Sequence, residues 1–165
     1  MSGKTAKYWL VLLALAAESA FSQAFEINQG LSGGWFEPAT TGQGLYLEVY
    51  PPRSLVHLGW FTYLPATEIE DPGAPASQRW YTALGEYQGT SATLVVYQTT
   101  GGRFDLPQAS QTVEVGEMRL EFESCDQATM EYEIPGENLV GEFQLVRLAR
   151  SALCEQLATR SEGFK

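Results

Sequence analysis

One histidine, His57, stands in a chain of 165 residues that carries 20 acidic and 10 basic side chains. Any serine, histidine and carboxylate relay would have to be built on it, yet no G-x-S-x-G elbow presents a serine. A histidine satisfied within a strand is the simpler reading. Paired carboxylates would serve glycoside cleavage, but the spacing that matters there is spatial. Most of the glutamates, among them Glu121, Glu123, Glu131 and Glu133, alternate with apolar residues as solvated strand faces do. No Asp-rich calcium loop accompanies them. Cys125 and Cys154, with a single histidine, are too few for a zinc site. No catalytic residue, metal or cofactor is therefore expected, and the protein reads as a non-enzyme. A carboxylate-dependent hydrolase is the third functional reading.

Aromatic side chains are the remaining functional material, with 4 Trp, 8 Tyr and 8 Phe. Tyr46, His57, Trp60, Trp80, Tyr81 and Tyr97 fall in the early and middle strands. Such rings line the mouth of a barrel for a small apolar or aromatic ligand, or form a platform for sugar or protein. Binding of a small apolar ligand is the leading reading. The alternative is a protein-interaction or envelope-structural module that uses the segment Leu55 to Tyr63, apolar on both faces. A formal charge of −10 disfavours nucleic acid, whose phosphates call for clustered Lys and Arg.

These residues need a scaffold and a compartment. Lys4 and Lys7 precede the apolar run Tyr8 to Ala17, and small and polar residues follow to Ala24. That order predicts a secretory signal peptide over residues 1–24, cleaved after Ala24. The run is about half the roughly 20 residues of a membrane-spanning helix, so no transmembrane segment is expected after cleavage. The product should be exported, to the periplasm or beyond the cell. In an oxidising compartment Cys125 and Cys154 are expected to be bridged, stabilising the fold by roughly 3 to 4 kcal/mol.

The rest, residues 25–165, reads as one β-domain. Leu31 to Glu37 predicts a first strand, and Gln43 to Tyr50 alternates with Leu45, Leu47 and Val49 on one face. Leu55 to Tyr63 carries Val56, Leu58 and Trp60 on one face and Leu55, Phe61 and Tyr63 on the other, which predicts cover on both sides. An acidic, proline-bearing connector spans residues 64–78. Arg79 to Leu84 and Ser91 to Thr99 predict a hairpin around Gly85 to Gly89. Alternation returns in Met118, Leu120 and Phe122, then Met130, Tyr132 and Ile134, and in Leu139 to Leu148, where Phe143, Leu145 and Arg147 share a side. Ala149 to Arg160 predicts a short C-terminal helix docked by Leu153 and Leu157 and pinned through Cys154. About eight strands joined mostly by short turns fit an all-β, antiparallel up-and-down barrel or a related sandwich. The glutamates on the late strands exclude an outer-membrane barrel.

Gly33-Gly34-Trp35 has the form G-x-W, and Arg147 lies on the apolar face of the last strand. The pair resembles the calycins, the lipocalin and avidin group of barrels, in which an arginine of the last strand covers the tryptophan of the first. That resemblance implies an eight-stranded barrel with Arg147 packed over Trp35. A second resemblance rests on Gly33-Gly34-Trp35-Phe36-Glu37-Pro38, Thr41-Gly42-Gln43-Gly44, Gly59-Trp60-Phe61-Thr62-Tyr63 and Thr99-Thr100-Gly101-Gly102-Arg103-Phe104. It is similar to a small β-rich module of exported proteins in Gram-negative bacteria that has no assigned activity. The long connector at 64–78 departs from the short turn that this resemblance implies.

Overall fold

A computed structural model describes residues 25–65 and 78–161. The expected signal peptide at 1–24, the middle of the acidic connector and residues 162–165 lie outside the described residues. Eight strands follow one another: β1 (Gly33–Phe36), β2 (Gly44–Tyr50), β3 (Leu55–Tyr63), β4 (Gln78–Gln88), β5 (Ser91–Thr100), β6 (Gln111–Phe122), β7 (Gln127–Ile134) and β8 (Leu139–Arg147). Each pairs antiparallel with the next, and β1 pairs with β8, so the sheet closes into an up-and-down barrel. This is the barrel arm of the sequence expectation, and it is consistent with the calycin resemblance. One helix, α1 (Ala152–Ser161), follows β8.

Strict alternation supplies the core. Leu45, Leu47 and Val49 of β2, Val56, Leu58 and Trp60 of β3, and Met118, Leu120 and Phe122 of β6 are all buried in one cluster. Two strands approach so closely that only glycine fits: a Cβ on Gly85 would meet the Thr93 carbonyl oxygen at 1.9 Å, and one on Gly116 the Glu133 carbonyl oxygen at 2.0 Å. Gly85 therefore lies within β4 rather than in the turn that its type suggests, and the hairpin turns at Gly89 and Thr90.

The two ends of the barrel differ. At one, the N-terminal segment crosses beneath the strands, with the Ile27 N–H on the Gly89 carbonyl at 2.8 Å, and buries Ile27 and Leu31. Helix α1 lies against this segment. It docks through Cys154, fully buried, and Ala158, whereas Leu153 is 47% exposed, so the expected contact through Leu153 is corrected. The helix turns its sulfur-bearing side inward because Cys154 is bonded to Cys125, with Cα atoms 5.8 Å apart. At the other end emerge the connections 37–43, 101–110 and 135–138.

The seam between β1 and β8 is short, with Trp35 opposite Arg147 and Phe36 opposite Val146. Side chains and loops lengthen it. The Leu148 N–H reaches the Gly34 carbonyl at 2.9 Å, and the buried Glu37 carboxylate accepts the Gln144 N–H at 2.7 Å and the Ala39 N–H at 2.8 Å. The expectation that β3 is covered on both faces is also corrected. Its inner face is buried, but on the outer face Phe61 is 53% exposed and His57 is exposed.

Candidate functional site

Trp35 and Arg147 meet as the sequence implies. The guanidinium carbon stands 5.4 Å from the indole centroid, within cation–π range. Its nitrogens donate to the Ser32 carbonyl at 2.7 Å and the Ala149 carbonyl at 2.7 Å. Burial lowers the pKa of Arg147, while Asp126 acts in the opposite sense. The indole Nε1 donates to the Leu31 carbonyl at 3.1 Å, and the ring meets Phe122 edge-on at 5.5 Å. The guanidinium and the indole N–H are both engaged within the fold, so the Trp35 and Arg147 pair reads as a structural plug of this end.

The opposite end carries a second aromatic group. Trp60 lies against Tyr81, Tyr132 and Phe143, with ring centroids 5.3, 5.0 and 6.0 Å away. Barrel closure brings these together, since β3 and β4 supply two of the rings and β7 and β8 the others. Trp60 and Tyr81 are buried, and Tyr132 and Phe143 are partly so. Beside them stands a polar network. Arg79 pairs with Glu137, the Tyr81 hydroxyl donates to the same carboxylate at 2.7 Å, and Arg79 donates to the Tyr81 oxygen at 3.2 Å. Burial pushes the Tyr81 hydroxyl up to about 12, with the Arg79 hydrogen bond lowering it and Glu137 raising it. Thr62 donates to the Gln43 side-chain oxygen close by in sequence to Trp60. Within this group the Trp60 Nε1 is buried and, among the described residues, has no hydrogen-bond partner. An unpaired buried donor is costly, and among the described residues at this end only Thr40 Oγ1, in the connection 37–43, shares that state.

The six aromatic and histidine candidates do not converge on one mouth. Trp60 and Tyr81 point inward. Tyr46, His57, Trp80 and Tyr97 alternate with buried residues and face outward, with Tyr46 62% and Trp80 48% exposed. Sequence reading missed Tyr132, Phe143, Arg79 and Glu137 as neighbours of Trp60. Only the inward parity of Tyr132 and Phe143 signals them.

The outer surface divides by chemistry. Across β6 to β8, Glu117, Glu131, Glu133 and Glu142 surround a hollow of about 450 Å³ that also includes Arg119 and Val140. Across β1 to β4 the outward positions nearest the loop-bearing end are aromatic, small or hydroxylic instead, and charge returns only further along, at Glu48 and Glu86. No family model matches the chain, and no curated protein or solved structure is similar enough to it to suggest a function.

Proposed function

We propose that the protein is an exported, non-catalytic binding module that takes a small, flat, apolar or aromatic molecule at the loop-bearing end of its barrel. The observation that carries this reading is the buried Trp60 Nε1 without a partner, set among Tyr81, Tyr132 and Phe143. A ligand with one acceptor atom and a flat apolar body answers both features. The donor gains its hydrogen bond, and the rings gain a stacking partner. Entry is by rotation of Tyr132 and Phe143, the two rings of the group that are only partly buried. The disulfide supports an oxidising compartment.

Hydrolysis is disfavoured by how the carboxylates at this end are engaged. Glu37 accepts two backbone N–H groups and Glu137 is held by Arg79 and Tyr81, so neither is free to act as acid or base. A neutral naphthylamine dye, fluorescent when desolvated, tests the reading. It should bind the native protein, and Trp60→Phe, which keeps a ring but removes the donor, should weaken an acceptor-bearing analogue by roughly 2- to 10-fold. Native mass spectrometry of protein taken from the envelope should show a small adduct. No dye response and no adduct would end the proposal.

A further inference from the structure

Two cross-strand rows run over the outside of β1 to β4 without a single charged residue. One is Val146, Phe36, Gly44, Phe61 and Trp80; the other is Leu148, Gly34, Tyr46, Gly59, Thr82 and Tyr97. Within them Leu148, Tyr46, Phe61 and Trp80 are 64%, 62%, 53% and 48% exposed. The glycines determine how the rings lie. A Cβ on Gly34 would stand 3.4 Å from both Tyr46 Cζ and Leu148 Cδ2, and one on Gly59 would stand 3.9 Å from Phe61 Cζ. Tyr46 thus leans across its strand onto Gly34, and Phe61 lies back along its own strand over Gly59. These two rings recline on the sheet and present their faces outward, and Trp80, opposite Phe61 on β4, is exposed beside them.

We propose that this face is a glycan-binding platform on the outer surface of the barrel, distinct from the interior site around Trp60 and independent of the reading given above. Reclining rings offer the negative π-face, and a pyranose offers a flat side of slightly positive C–H groups that stacks on it. Adjacent strands are about 4.8 Å apart, so rings on β2, β3 and β4 step across the sheet at intervals suited to successive sugars of one chain. The uncharged rows favour an uncharged ligand, in contrast to the acidic side formed by β6 to β8. The three rings alone offer roughly 250–400 Å² at their present exposure, a patch matched to a short glycan and below the about 800 Å² per partner of a standard protein interface.

The test titrates cellohexaose and chitohexaose into the native, disulfide-bonded protein by calorimetry and tryptophan fluorescence. At least one hexamer should bind, and Trp80→Ala and Tyr46→Ala should each weaken it by about tenfold or more, equal to about 1.4 kcal/mol. Both side chains are exposed, and unfolding midpoints verify that each variant folds. If Trp80→Ala fails to fold, Tyr46→Ala decides. Trp80→Ala should keep the wild-type response to the naphthylamine dye, so the two sites stand or fall separately. Three results overturn the platform: neither hexamer binds, binding is unchanged in both variants, or the face instead takes a proline-rich peptide. Concentration-dependent dimerisation abolished by Trp80→Ala overturns it too, and assigns the face to a second copy.

Discussion

Arg147→Leu keeps the length of the side chain's apolar stem but removes the guanidinium from a site where it makes two close hydrogen bonds and a ring contact. It loses the hydrogen bonds to the Ser32 and Ala149 carbonyls, each at 2.7 Å, and the stack over Trp35. Hydrogen bonds from a charged group contribute about 1.5–3 kcal/mol each, and a partly desolvated cation–π contact about 1–2 kcal/mol. The cost of desolvating the guanidinium, seen in its lowered pKa, offsets part of that sum. A net loss of about 2–3 kcal/mol is expected. With a urea m-value of about 1–3 kcal/mol per molar, the midpoint should fall by roughly 1–2 M. Arg147→Lys keeps the charge but loses the planar fork that reaches two carbonyls at once, so it should fall between Leu and the native residue. Equilibrium urea unfolding followed by near-UV circular dichroism reads the effect. A midpoint for Arg147→Leu indistinguishable from that of the native protein would show that the guanidinium contacts add nothing net to the β1–β8 seam.

Other expectations follow from the same contacts. Cys125 and Cys154 are 29 residues apart, so Cys154→Ser should cost about 3.5 kcal/mol on the chain-entropy estimate; calorimetry in oxidised and reduced buffers checks it, and equal transition temperatures would contradict it. Burial raises the Tyr81 hydroxyl to about 12, above the unfolded value of about 10, so its contribution to stability is complete below pH about 10 and is lost as pH rises towards about 12. Unfolding midpoints measured across that window should fall with pH, and Tyr81→Phe should flatten part of the slope. Gly116→Ala places a methyl 2.0 Å from the Glu133 carbonyl oxygen and should lower the thermal midpoint strongly or prevent folding, whereas Gly136→Ala, with nothing within 4 Å, should fold as the native chain does.

Much of the barrel is legible because alternation encodes which side of a strand is wet. The inward sets on β2, β6 and β7 read correctly from their apolar residues, and the inward parity of Trp35 and Arg147 gave their contact. Reading failed where residue type and environment part company. Gly85 looks like a turn residue, but it is required inside β4 by the closeness of the Thr93 carbonyl, a neighbour no local pattern reveals. Phe61 looks like a core residue, yet its parity puts it outside, and hydrophobicity alone cannot tell an exposed aromatic from a covered one. The partners of Trp60 lie far along the chain, and Arg79 meets Glu137 across a separation of 58 residues. Only closure of the barrel makes them neighbours. The helix docks through Cys154 rather than Leu153 because the covalent bond, not hydrophobic spacing, sets its rotation.

The order of strands around the barrel bears on how the chain reaches this state. Every strand but the first has its predecessor as a neighbour, so the sheet can grow by adding hairpins as the chain lengthens, most steps closing a short loop and the β3–β4 step the longest. β1 is the exception on one edge: its second partner, β8, is the last strand to be made. Until β8 arrives, both β1 and the newest strand present open edges, the state in which sheets recruit one another. Cys154 lies beyond β8, so the sulfur bridge cannot form with its native partner before the closing strand exists. Native oxidation therefore waits until the whole barrel sequence is available, and the finished bond ties the segment after β8 back to the β6–β7 connection.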